Sequence, residues 1–180
     1  MTAIPDDKKL TAQEYFKLTA QREDRTELLY GQIVAMSSPN RMHQHIAYNL
    51  YSTISAFIRN NNGPCEVNGE IDVKLDEENV VVPDISVTCD PSKLDEHGCN
   101  GAPDWVVEVL STNRRNDLVE KLGLYQSAGV REYWIVDPKN EKTLVYFFEK
   151  NDLPDIYTFD TPIPVQIYDR ALTIRIADLV

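Results

Sequence analysis

Two acidic residues stand inside apolar stretches of this 180-residue sequence, where a charge is costly unless it is paired, protonated or bound to a cation. Glu108 interrupts the run 105–110, and Asp84 interrupts the run 80–87. Side chains alternate along a strand, so Glu108 points to the same face as its apolar neighbours two residues away. Carboxylate oxygens on neighbouring strands suit a hard divalent cation such as Mg²⁺ or Mn²⁺.

A lysine is predicted to lie near these carboxylates. The stretch 113–128 has the pattern of a helix whose apolar stripe consists of Leu118, Leu122 and Tyr125. At roughly 100° per residue, Lys121 lies about 60° from the centre of this stripe, so it is able to reach back toward the strand that carries the glutamate. A lysine beside metal-binding carboxylates orients or deprotonates an attacking water, or stabilises negative charge on phosphate oxygens.

Two structural alternatives stay open on these residues alone. The two carboxylates also fit an ion network without metal, with Arg114, Arg115 or Lys121 as partners. Lys121 by itself also fits a surface pair with Asp117, one helical turn earlier. Because direct contact needs hydrogen-bond distances, a separation above roughly 8 Å between Lys121 and both carboxylates would favour the structural network.

The elements that must position these side chains form an α/β pattern. Helices are predicted over 10–19, with Thr11 and Glu14 forming a capping box, and over 43–59, with a further short helical segment leading into Glu27. Strands are predicted at 33–36, 66–67, 71–75, 80–87, 105–110, 133–136 and 144–148, with short strands in the tail over 142–176 and a polar loop over 90–101.

Local details qualify several of these elements. Pro83 cannot donate a ladder hydrogen bond, so its strand is predicted to lie at an edge or to bulge beside Asp84. His43 and His45 are two residues apart and do not share a helix face, so a zinc site is not expected and His43 is predicted at the helix surface. Without repeats or a linker, we expect one domain over 1–180.

Charge and cysteine content bound the class of protein. The formal net charge is −11, from 29 acidic and 18 basic residues, which argues against a large basic face for an anionic polymer. A cation held by carboxylates would supply local positive charge instead. The three cysteines are odd in number and lack a framework spacing, so reduced thiols in a cytoplasmic protein are expected, and no signal peptide or membrane-spanning segment is predicted.

An ordered set of motifs runs through most of the chain. It consists of Glu27-Leu28-Leu29-Tyr30-Gly31, then His43 and Leu50, then Pro83-Asp84, then Glu108-Val109-Leu110-Ser111, then Asp117 with Lys121 and Tyr125, and finally Gly129-Val130-Arg131-Glu132-Tyr133-Trp134-Ile135-Val136-Asp137-Pro138. Over about residues 27–138, the chain thereby resembles a large bacterial family of restriction-endonuclease-like proteins within the PD-(D/E)XK nuclease superfamily. The last of these motifs is the most specific.

The resemblance implies a restriction-endonuclease-like core, in which a mixed central β-sheet is flanked by α-helices and Asp84 and Glu108 lie on adjacent central strands. It also implies that Glu27, on the first helix of the core, completes the metal site, and it leaves open that His43 lines the site and not the helix surface. The superfamily's usual lysine follows the acidic residue by two positions, and that position here is Leu110. The resemblance implies that the lysine has moved to the next helix, as Lys121.

The sequence therefore predicts a metal-dependent endonuclease that hydrolyses DNA phosphodiester bonds. Asp84, Glu108 and Lys121 are the predicted catalytic residues, and Glu27, Asp84 and Glu108 are the predicted ligands of Mg²⁺ or Mn²⁺. A homodimer is expected, because two cuts need two sites and symmetric pairs are the commonest oligomers. The alternative is a non-catalytic nuclease-fold module with a binding or regulatory role, which the net negative charge favours.

Overall fold

Three α-helices accompany the sheets in the computed structural model, which describes residues 9–20, 24–111, 115–150 and 153–180 and leaves out the side chains of 115–119. They are α1 (Ala12–Thr19), α2 (Arg41–Asn60) and α3 (Arg115–Ala128). The predicted capping box is confirmed, because Thr11 N donates to Glu14 Oε2 at 3.0 Å and Glu14 N donates to Thr11 Oγ1 at 3.3 Å. The predicted first residues of α3, and the side chain of Asp117, lie outside the described residues.

The strands form two mixed sheets and a short pair. They are β1 (Thr26–Leu29), β2 (Gln32–Ala35), β3 (Glu66–Asn68), β4 (Asp72–Lys74), β5 (Val80–Val81), β6 (Ile85–Thr88), β7 (Gly98–Asn100), β8 (Trp105–Val109), β9 (Glu132–Asp137), β10 (Lys142–Phe147), β11 (Asp155–Thr158), β12 (Ile163–Pro164) and β13 (Thr173–Ile174). One sheet has the order β11-β10-β9-β8-β6-β3 and the other the order β2-β1-β5-β4-β7. The α/β class with mixed sheets is confirmed.

The centre of the larger sheet is the parallel pair β8–β9, with antiparallel neighbours on both sides. Every residue of these two strands is buried, as expected for strands covered on both faces. The helix α3 connects them, which is the usual crossover between parallel strands. This topology places the end of β8, and its glutamate, next to β6 and close to α3.

The two faces of the larger sheet carry different apolar clusters. On one face, α2 packs Ile46, Leu50 and Ile54, which follow the helical period, against Trp105 and Trp134. On the other face, Val106, Tyr125 and Tyr133 share a cluster with Leu29 and Val73 of the smaller sheet. Glu108 lies on the second face because it has the parity of Val106, so its carboxylate is directed toward α3 and the smaller sheet.

Two predicted elements near the site are wrong. Glu27 lies on strand β1 and not on a helix, because the fully buried run Thr26–Leu29 pairs along its length with β2 and also contacts β5. The predicted strand 80–87 is two strands, β5 and β6, which belong to different sheets and are separated by Val82, Pro83 and Asp84. Pro83 marks the point where the chain crosses from one sheet to the other.

Two further differences lie away from the site. The predicted polar loop 90–101 contains β7, which pairs in parallel with β4. Cys65 and Cys89 form a disulfide, and Cys99 is a free buried thiol, so the expectation of three reduced thiols is wrong. The register Glu66↔Thr88 between β3 and β6 brings the two cysteines opposite each other, which the linear spacing does not reveal. In the described parts of the chain, no helix is both long and apolar enough to span a bilayer.

Candidate active site

A buried ammonium joins two carboxylates at the junction of the sheets. Lys121 Nζ on α3 lies 2.6 Å from Glu27 Oε1 on β1 and 2.9 Å from Glu108 Oε1 on β8. These three side chains are at most 6% exposed. Tyr125, one turn further along α3, donates its hydroxyl to the same Glu108 oxygen at 2.9 Å. Residues from three separate elements therefore form one polar cluster inside an apolar interior.

Backbone groups hold the acidic side chains in place. Val82 N, in the segment between the sheets, donates to Glu27 Oε1 at 2.8 Å. Val109 N, at the end of β8, donates to Asp84 Oδ2 at 2.7 Å. The break at Pro83 is what places Asp84 beside the end of β8, since β6 and β8 pair with Ile85 opposite Val107.

A histidine also holds the Asp84 carboxylate in place. His43 Nε2, from the first turn of α2, lies 2.9 Å from Asp84 Oδ2, and both side chains are almost fully buried. His43 was predicted at the helix surface, and that prediction is wrong. Its backbone N–H is capped by the side chain of Asn40 at 2.9 Å, which aims the first turn of α2 at the site. The one signal that pointed to His43 was its match to the family pattern.

Burial and mutual repulsion shape the electrostatics of the cluster. Burial raises the pKa of Glu108, the Asp84 and Glu27 carboxylates raise it further, and Lys121 opposes the rise. Burial lowers the pKa of Lys121, but the Glu108 and Glu27 carboxylates outweigh this and raise it above its ordinary value. Burial and the Glu108 carboxylate raise the pKa of Tyr125 well above its usual range, so its hydroxyl stays a donor. Lys121 is thus a charged ammonium.

The chemistry of the donor set fits a divalent cation. Lys121 contacts the buried carboxylates of Glu27 and Glu108, and the buried Asp84 carboxylate lies close enough to Glu108 to raise its pKa, so there is an excess of acidic groups over the one lysine. Mg²⁺ and Mn²⁺ take carboxylate oxygens and would neutralise that excess. Among the described residues, no three His, Cys, Asp or Glu side chains converge closely enough to form a metal-binding group as they stand. Lys121 occupies the position between Glu27 and Glu108 instead.

The structure brings together all four predicted site residues: Asp84, Glu108, Lys121 and Glu27. Lys121 Nζ lies 2.9 Å from Glu108 Oε1, so the condition that would favour a purely structural network, a separation above roughly 8 Å from both Asp84 and Glu108, is not met. The predicted alternative partners Arg114 and Arg115 lie outside the described side chains. The catalytic and metal-binding roles of the four residues remain predictions.

Comparison with known proteins decides the family. The sequence pattern of the Uma2 family, described as "Putative restriction endonuclease", matches residues 12–168. The chain belongs to the Uma2 family. The match covers both sheets through β12, and it includes every residue of the buried acidic cluster. A nuclease-like class of protein is therefore established for this chain, in agreement with the resemblance found in its motifs.

Relatives of this Uma2 chain have been found in a cyanobacterium. The "Uncharacterized protein slr1290" of Synechocystis sp. strain PCC 6803 is 30% identical over 149 residues, which are 80% of this chain and 76% of that protein. The "Uncharacterized protein sll1609" of the same strain is 25% identical over 144 residues, 76% of this chain and 80% of that protein. Both relatives are matched over most of their length, so the similarity covers the core and not one motif.

A solved structure has the same fold. The crystal structure of "a putative nuclease belonging to DUF820" from Anabaena variabilis ATCC 29413 superposes with a TM-score of 0.80. The alignment covers 94% of this chain and 97% of that chain, at 24% sequence identity. At this identity the likeness concerns the fold, and it extends over nearly the whole Uma2 chain.

Proposed function

We propose that this protein is a metal-dependent endonuclease that hydrolyses phosphodiester bonds in DNA. The observation that carries the proposal is the buried cluster in which Lys121 contacts Glu27 and Glu108 and Asp84 is held at the end of β8, in a chain of the Uma2 family. Buried charges that lack a structural need are typical of functional sites. The same cluster alone would fit a structural ion network, and the family membership favours a nuclease site.

In this proposal, Asp84 and Glu108 hold Mg²⁺ or Mn²⁺ and Glu27 assists. The bound cation would supply Lewis-acid activation of a phosphodiester and of the attacking water. The chain's own groups orient the ligands: His43 and Val109 N fix one oxygen of Asp84, and Tyr125 holds Glu108. Lys121 carries a positive charge into the cluster, which suits it to stabilise negative charge that develops on phosphate oxygens.

The test is a cleavage assay with matched variants. Supercoiled plasmid and oligonucleotide DNA are incubated with wild-type protein, Asp84→Ala or Lys121→Met in Mg²⁺ or Mn²⁺. Loss of a metal ligand or of a charge-stabilising group is expected to lower the cleavage rate about 100-fold or more. Glu96→Ala, at a side chain that is 86% exposed and far from the cluster in the fold, is the control and should cleave like the wild type. Equal rates in all four proteins would exclude the proposed site.

The alternative is a nuclease-fold module that binds or regulates without turnover. The net charge of −11 and the lysine between the carboxylates favour it. Calorimetric titration with Mn²⁺ separates the two functions. Heat of binding that disappears in Asp84→Ala and Glu108→Gln supports the endonuclease, whereas no binding by the wild type supports the module.

We further propose that the protein is a homodimer, since symmetric pairs are the commonest oligomers. The edge strand β11 carries Ile156, which is 64% exposed and offers an apolar contact for a second copy. Light scattering of the purified protein measures the mass directly. A monomer at the concentrations used for cleavage would contradict the dimer and leave the cluster's role unaffected.

A further inference from the structure

A cavity of about 450 Å³ opens beside Asp84, between α2 and the turn that joins β3 to β4. His43 and Asp84 lie at one side of it, so it adjoins the acidic cluster. Its volume is in the range of small-molecule sites, enough for a nucleotide and too small for a long stretch of duplex. Whatever enters it comes within reach of Asp84.

Two tyrosines form one wall of the cavity. Tyr48 and Tyr51 lie three residues apart on α2, and they are 65% and 37% exposed. The core face of this helix is occupied by Ile46, Leu50 and Ile54, so the packing of α2 does not require either ring. Exposed aromatic rings along one wall are a stacking platform for nucleic-acid bases, with little dependence on base sequence.

The lining of the cavity also includes an asparagine amide. Asn68 Nδ2, at the end of β3, is buried and has no hydrogen-bond partner among the described residues. An unpaired buried donor is costly, and an asparagine amide is a common reader of base edges. The next residue is Gly69, where a Cβ would lie 3.9 Å from Cδ2 of Tyr51, so this turn lies directly beside that ring.

Charge favours contact with bases over contact with phosphates. The net charge of −11 leaves little positive surface for the phosphates of a long duplex. At the cavity, Glu70 is paired with Arg25, whose Nη1 lies 3.0 Å from Glu70 Oε1. This pairing partly neutralises the negative charge of Glu70. The affinity for DNA must then come mainly from stacking and from hydrogen bonds to base edges.

From these observations we infer that the cavity binds an unstacked nucleobase, and that the preferred substrate is single-stranded DNA. The inference rests on the proposed nuclease function and names its substrate class. Tyr48 and Tyr51 would stack on bases, and Asn68 would donate to a base edge, while the strand's backbone passes Asp84. Bases in a duplex are already stacked and paired, so they are not free to enter the cavity.

The experiment measures binding without cleavage. Fluorescence anisotropy in EDTA compares a labelled single-stranded 12-mer, its duplex and a strand of abasic sites. We expect the single strand to bind at least about 10-fold more tightly than the other two. Tyr48→Ala/Tyr51→Ala is expected to weaken that binding about 10-fold or more, and Tyr48→Phe/Tyr51→Phe, which keeps the rings, by less than about threefold. Tyr30→Ala, an exposed tyrosine outside the cavity, is the control.

The possible outcomes separate this inference from the proposed function. Equal affinity of the wild type and the alanine pair, or equal affinity for the normal and abasic strands, overturns the inference even if the protein cleaves DNA. Ring-dependent binding of single strands by a protein that cleaves no DNA supports the base-binding cavity, but it overturns the proposed function and with it single-stranded DNA as a substrate. Loss of binding in Tyr30→Ala as well would show that the tyrosine effect is not specific to the cavity, which also overturns the inference.

Discussion

Lys121 is the counter-ion of two buried acids, and its removal would leave them uncompensated. Breaking a buried ion pair by deleting one partner costs about 3–5 kcal/mol, because the remaining charge cannot be solvated. Lys121→Met is therefore expected to lower the free energy of unfolding by about that amount in EDTA. Urea unfolding followed by circular dichroism measures the loss, with the exposed Lys142→Met as control.

A divalent cation offers a second readout of the same variant. If Glu27, Asp84 and Glu108 bind Mn²⁺, the ion should stabilise Lys121→Met more than it stabilises the wild type, since it replaces the missing charge. A variant that is as stable as the wild type in EDTA would contradict the counter-ion role. A variant that Mn²⁺ leaves unchanged would contradict the metal site.

The contact of His43 with Asp84 leads to a prediction about the orientation of this carboxylate. Its ring holds one oxygen of Asp84, and partners that orient a metal ligand are worth about 10- to 100-fold in metal affinity. His43→Ala is expected to weaken Mn²⁺ binding by that factor in calorimetry. His45→Ala, two residues away and exposed, should bind like the wild type. If His43→Ala binds Mn²⁺ with the affinity of the wild type, the histidine contributes to packing and does not orient a metal ligand.

At the scale of elements, Glu132 fastens the C-terminal segment to the central sheet. This fully buried residue of β9 accepts hydrogen bonds from Gln166 N at 2.8 Å, Ile167 N at 2.9 Å and Trp134 Nε1 at 2.7 Å. The two backbone donors belong to a 3₁₀ turn, Gln166–Tyr168, that follows β12. One carboxylate thus joins a central strand to the start of that turn.

The pH dependence of stability follows from this carboxylate. Burial raises the pKa of Glu132 to about 7, against the opposing effect of its three N–H donors, whereas the unfolded value is 4.5. The native state keeps its proton longer than the unfolded state, so stability falls as the pH rises from 4.5 to 7, by on the order of 3 kcal/mol. Between pH 4.5 and 7, the thermal unfolding temperature should fall less steeply with pH in Glu132→Gln than in the wild type. Equal slopes of unfolding temperature against pH in the two proteins would refute the role of Glu132.

Several elements were predictable because their signals are local. The capping box of α1, the apolar period of α2 and the buried runs of β8 and β9 each lie within one short stretch of sequence. β1 was missed because its four residues are all buried, and a run with no alternation gives no strand period. The division of 80–87 into two strands, and the pairing of Cys65 with Cys89, depend on which sheet each stretch joins, which is not a local property.

The residues of the candidate site divide in the same way, into those that the nearby sequence predicts and those whose place depends on distant contacts. Asp84 and Glu108 were recognisable as charges in apolar runs, and Lys121 from its angle on α3. Glu27 came from family resemblance alone, and its predicted placement on a helix was wrong. The contact of His43 with Asp84 was not predictable, since a histidine in the first turn of a helix looks the same whether that turn is buried or not.

At the scale of the whole molecule, the net charge limits how the proposed DNA substrate can be bound. Each phosphate neutralised by a single-strand binder adds about −0.7 to the slope of log affinity against log salt concentration. A chain with 29 acidic residues is expected to make few such contacts, so we predict a slope shallower than about −3. Anisotropy between 50 and 200 mM salt measures it. A steep slope would reveal a basic surface and contradict the reliance on bases.

The buried C-terminal segment has a consequence for the order in which the protein is made. All four residues of the acidic cluster have been synthesised once residue 121 is added, but Ile163, Val165, Leu172, Ile174 and Ile176 still belong to the core that covers the α2 face of the sheet. The two backbone hydrogen bonds that Glu132 accepts also cannot form before residues 166 and 167 have been added. A ribosome that has added residue 121 therefore still holds an uncovered core, and we expect the acidic cluster to become rigid only after nearly the whole chain has emerged.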